Sequence, residues 1–86
     1  MKLDLDTIVE KTGSDFRQFP KGILFESGIA LNGSASDIFL NIDGVKTIEE
    51  VVKLAFKDYE VQPEEAEADA LELIEVLINE NIVEVK

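Results

Sequence analysis

Eighty-six residues suffice for one small domain and leave no room for a second core. The chain has no cysteine and no histidine, which excludes a disulfide framework, a thiolate metal site and the commonest general base. The formal charge of −11 is uneven: residues 1–46 hold five basic and seven acidic side chains, residues 47–86 three and twelve. Such a field repels phosphate backbones, and it also serves plain solubility. No apolar run approaches the roughly 20 residues that span a bilayer, and the start Met-Lys-Leu-Asp-Leu-Asp is too acidic for a signal peptide. The expectation is a soluble, intracellular (cytoplasmic) protein that binds neither nucleic acid nor membrane.

Along the chain, Leu3, Leu5, Thr7 and Val9 alternate as in a strand, although Asp6 could equally cap a short helix through Ile8. Thr12 to Asp15 reads as a turn, and Phe16 and Phe19 lead into a second turn at Pro20-Lys21-Gly22. Ile23-Leu24-Phe25 and Ile29-Ala30-Leu31, joined by Glu26-Ser27-Gly28, fit a β-hairpin. The N-terminal third is therefore expected as one antiparallel sheet of three short strands.

Helices are expected in the remainder. Ala35, Ile38, Phe39 and Ile42 share one helical face, with Asn32 or Ser34 as N-cap and Gly44 as the left-handed residue past the end. Thr47-Ile48-Glu49-Glu50 is a capping-box pattern opening a second helix to about Asp58, which would bury Ile48, Val51, Val52, Ala55 and Tyr59. Pro63 suits the first turn of a third helix, running to about Asn79. Its early Glu64, Glu65 and Glu67 complement the positive end of the helix dipole. Ala66, Ala70, Leu73, Ile74 and Leu77 form its packed face, and Leu71, Ile78 and Val76 widen that face beyond the usual arc. Either this helix is deeply covered or part of it lines a groove. Ile82 to Val85 reads as a terminal strand.

No catalytic constellation converges. Asn41, Asp43, Gly44 and Glu50 match four positions of a calcium loop, but Phe39 falls where an aspartate must sit and Lys46 falls near the ion. The acids of residues 47–86 read as solvated faces without a base or phosphate loop beside them. An acyl or peptidyl carrier domain would place its prosthetic serine in Asp-Ser-Leu. Ser34 and Ser36 lack both the preceding Asp and the following aliphatic residue.

The run Leu31-Asn32-x-x-Ala35-x-x-Ile38-Phe39, then Asp43-Gly44 and Thr47-Ile48-x-Glu50-Val51-Val52, resembles the PqqD-like family. The similarity continues through Tyr59 and Ala66-x-x-Asp69-Ala70-x-x-Leu73-Ile74-x-x-Leu77 to Ile82-Val83, with Asn81 where the family often has glycine. The resemblance implies an α+β, winged-helix-like fold, a three-stranded antiparallel sheet followed by a three-helix bundle. It implies a non-catalytic domain without cofactor or metal, monomeric or weakly dimeric. Such a domain recognises the leader segment of a ribosomally made precursor peptide and delivers it to a maturation enzyme, often a radical SAM protein. The leader would add a strand along Gly28, Ile29, Ala30 and Leu31 and pack against Asp69, Leu73 and Val76. A winged-helix DNA-binding or transcription-regulatory protein shares the fold, but the charge and the lack of a basic recognition helix oppose it.

Overall fold

A computed structural model describes residues 3–86; Met1 and Lys2, the start of the segment read for a signal peptide, lie outside them. The elements in order are β1 (Val9–Lys11), β2 (Phe16–Phe19), β3 (Gly22–Phe25), β4 (Ala30–Asn32), α1 (Ser34–Asn41), α2 (Ile48–Ala55), α3 (Pro63–Asn79) and β5 (Val83–Val85). The domain is α+β, with three helices and antiparallel sheets.

The expected single sheet is two. The order β2-β3-β4 forms one, and β1 pairs with β5 in the other, Val9 opposite Val85. Of the alternating run Leu3–Val9, only Val9 belongs to a strand. The reason is local: the Asp4 carboxylate accepts the Asp6 N–H and the Thr7 hydroxyl, and the Asp4 carbonyl accepts the Thr7 N–H. Short polar side chains thereby divert the backbone into a turn. The third strand of the larger sheet is instead Phe16–Phe19, which joins β3 through the two-residue loop Pro20-Lys21.

One face of this sheet meets the helices. Phe16 and Phe25 both turn their rings on Phe39 of α1, edge to face with centroids 5.2 and 5.0 Å apart. Such pairs add to the free energy of area burial alone. Ile23, Leu31 and Ile38 complete this part of the core.

α1 is capped differently from expectation. Gly33 is its N-cap without a side-chain bond; Asn32 is held in β4 opposite Gly22, and Ser34 already lies inside the first turn. The helix ends on extended Ile42, so Gly44 (φ 78) belongs to the next turn, where its N–H reaches the Val9 carbonyl. The capping box of α2 is present in both directions, Thr47 N–H to the Glu50 carboxylate at 3.0 Å and Glu50 N–H to the Thr47 hydroxyl at 3.3 Å. α2 stops three residues short, because Phe56 leaves the helical region and a tighter bond from Tyr59 N–H to Phe56 C=O follows. Tyr59 is consequently 42% exposed rather than buried, and its hydroxyl donates to Asp37.

α3 buries Ala66, Ala70, Ile74 and Leu77. It closes in a Schellman arrangement, Ile82 N–H to Leu77 C=O and Asn81 N–H to Ile78 C=O, with Asn81 left-handed at φ 59. Asparagine tolerates that conformation, which explains why it can stand where glycine is usual.

Thr47→Ala should lower stability by about 1 kcal/mol through loss of the cap. Gly22→Ala should cost more, about 1–3 kcal/mol, because an added Cβ collides with the Leu31 carbonyl oxygen, a backbone atom that cannot swing aside. Urea unfolding compares the two, and an unchanged midpoint for Gly22→Ala would contradict the β3–β4 register.

Candidate functional site

The β3–β4 hairpin creates the site's strand edge. Phe25 C=O accepts from Gly28 N–H and Phe25 N–H donates to Ile29 C=O, which is a type I turn closed by a bulge at left-handed Gly28 (φ 99). Bonded and non-bonded pairs alternate along an antiparallel ladder. With Phe25 bonded to Ile29, Ile23 is bonded to Leu31, and Ala30 and Asn32 direct their N–H and C=O groups away from β3. Among the described residues no other backbone group reaches those of Ala30.

The four strand positions therefore differ in role. Gly28 makes the turn, Ile29 is half-buried against the core, Ala30 is exposed with outward backbone, and Leu31 is buried as the anchor. Asn32, outside the expected set, shares the outward register of Ala30. Period-two parity counted from the Gly28 bulge would have found it in the sequence.

On α3, Asp69, Leu73 and Val76 follow one another at helical spacing. Asp69 is exposed, Leu73 half-buried against the core, and Val76 47% exposed, so this side of the helix is apolar without full cover. Glu64, Glu65, Glu67, Asp69, Glu72 and Glu75 make every charged side chain of α3 acidic, with no lysine or arginine. Neither ion pair of the described residues, Lys46–Asp43 or Lys53–Glu49, involves α3. The strand edge and the helix ridge do not pack extensively on each other; α1 is the element that touches both.

A largely apolar hollow lies elsewhere, a cavity of about 230 Å³ between α2 and α3 lined by Val52, Phe56, Val61, Pro63 and Ala66 and rimmed by Glu49, Lys53 and Glu67. Ala66 stands roughly 15 Å along the helix from Val76 at 1.5 Å per residue, so this hollow and the ridge are separate features. Among the described residues two ionisable groups are perturbed, and neither is at the edge. The Lys46 side chain and the Val45 and Lys46 amides hold the Asp43 carboxyl well below its ordinary range. Acceptance by Asp37 keeps the Tyr59 hydroxyl protonated to higher pH. The Asp43 carboxylate, the centre of the apparent calcium loop, is thus engaged by its own turn.

An exposed strand edge with outward backbone groups is a geometry on which an extended peptide can add as a strand, and the incompletely covered residues of α3 form a ridge across α1 from it. A small α+β domain with such an edge has the geometry that strand-adding peptide modules use. The family model described as coenzyme PQQ synthesis protein D (PqqD) matches residues 20–83, and the chain belongs to that family. No curated protein and no solved structure matches it.

Gly28→Ala should cost about 1 kcal/mol, since a Cβ there meets no atom within 4 Å and only the left-handed backbone is penalised. Chemical denaturation measures this, and a loss as large as that of Gly22→Ala would show a steric role for Gly28.

Proposed function

We propose that this protein is a non-catalytic, cytoplasmic recognition element that binds the leader segment of a ribosomally synthesised precursor peptide. It presents that peptide to a modifying enzyme, of which a radical SAM protein is the expected kind. The arrangement of sheet and three helices is read as winged-helix-like. The observation that carries the proposal is the outward backbone of Ala30 and Asn32 in a chain of the PqqD family. Main-chain bonds supply grip there, and alternate side chains select the peptide.

The peptide runs along Gly28, Ile29, Ala30 and Leu31 and extends to Asn32. Leu73 and Val76 supply apolar contact, and Asp69 meets a polar or basic leader residue. The acidic surface of α3 favours a leader carrying lysine or arginine and speeds its capture at low salt. Duplex DNA is disfavoured by the same surface: the third helix, which would enter a groove, holds six acids and no base.

Val76→Glu should weaken leader binding by about 1–3 kcal/mol, the scale of burying one such side chain, while leaving stability nearly unchanged because Val76 is 47% exposed. Ala30→Pro removes one outward N–H without touching the β3 ladder, and proline is tolerated on an edge strand in that register. It should weaken binding by about 1 kcal/mol or more. An NMR titration with the candidate leader checks both variants. Shifts confined to the α2–α3 hollow, with amides 28–32 unmoved, would place the peptide elsewhere.

A further inference from the structure

The β2-β3-β4 sheet has a second edge. Glu26 N–H donates to Asp15 C=O, so by alternation Arg17 is bonded to Leu24 and Phe19 to Gly22. Phe16 and Gln18 therefore direct two N–H and two C=O groups away from β3, and among the described residues no backbone group meets them. All four residues of β2 are exposed. Phe16 is 38% and Phe19 50% exposed, large fractions for aromatic side chains.

Charge distinguishes this edge from that of β4. Residues 16–25 contain Arg17 and Lys21 and no acid, with Asp15 and Glu26 closing the open end of the ladder, in a chain of net charge −11. Neither Arg17 nor Lys21 makes an ion pair among the described residues. By the pleat, Arg17 and Phe19 share the sheet face turned from the helices with Leu24, which is 42% exposed. The result is an edge strand, paired with β3 on one side only, that carries basic and apolar side chains while its Phe16 ring packs on Phe39 of α1.

We infer that β2 is a second strand-addition edge and that its occupant is an extended acidic segment of a partner protein, with apolar residues alternating with Asp or Glu. Free main-chain groups at Phe16 and Gln18 take the segment's backbone, Arg17 and Lys21 its carboxylates, and Phe19 and Leu24 its apolar side chains. The opposite edge at β4 stays open, so leader and partner can be held at once on the two sides of one sheet. This goes beyond the leader reading and uses none of its residues.

The test uses the whole chain and a synthetic octapeptide of alternating glutamate and valine. A matched peptide with lysine for glutamate and a short oligo-dT strand are the comparisons. Expected are amide shifts at residues 16–19 and affinity about tenfold higher for the acidic than for the basic peptide, the sign demanded by complementary charge. The double variant Arg17→Glu/Lys21→Glu should weaken the acidic peptide about tenfold. Gln18→Pro should also weaken it, by removing an outward N–H while sparing the β3 ladder, and Ala30→Pro should have no effect. Absence of binding at about 1 mM peptide, equal affinity for the lysine peptide, or shifts at residues 30–32 would overturn the inference. Tighter binding of oligo-dT than of the acidic peptide would overturn it too, in favour of a single-stranded nucleic acid. Leader binding at β4 can fail or succeed independently, since its variants and reporter amides differ.

Discussion

Each residue of an antiparallel strand can share its main-chain bonds with only one neighbour, and β3 divides its four residues evenly under that constraint. Ile23 and Phe25 bond toward β4, and Gly22 and Leu24 toward β2. The same alternation sends the side chains of Ile23 and Phe25 into the core and leaves Leu24 in solvent. The outer strands must then carry unpaired groups at every second residue. A longer chain could cover such edges with further elements; here they are short, three and four residues, which limits the hazard of indiscriminate pairing.

Charge gives the two edges opposite characters. The acids accumulate on α3, reached from β4 through α1, and β2 and its turn hold two bases that make no ion pair among the described residues. Over a distance comparable to the Debye length of about 8 Å at physiological salt, a ligand approaching either edge senses the local sign more than the total of −11. Discrimination between partners can therefore rest on which edge repels as much as on which attracts.

Features encoded by near neighbours were legible in the sequence. The Thr47–Glu50 box, the Pro63 start of α3, the β3–β4 hairpin and the terminal strand at Val83 follow from motifs a few residues long. What escaped depends on distant partners or on competing local bonds. Asp4 turns the chain before Val9 can extend it, and Val9 finds its mate at Val85 rather than in the hairpin. Phe16–Phe19 shows no alternation of apolar and polar residues, because only its Phe16 side is needed by the core. For the candidate site, helical period put Val76 at the margin of the apolar arc but left open whether it was covered, and packing leaves it 47% exposed. The outward register of Asn32 follows by parity once the bulge is set at Gly28, whereas the separation of β4 from α3 needed the packing of α1.

The β1–β5 ribbon has an architectural consequence. Because Val9 lies opposite Val85, the last strand is tied to the chain just after an N-terminal segment whose Leu3 and Leu5 pack on the core and whose Leu5 and Thr7 carbonyls accept from the first turn of α2. Fraying at one end then costs the bonds of the other, so the ribbon makes both ends of the domain open and close as one unit.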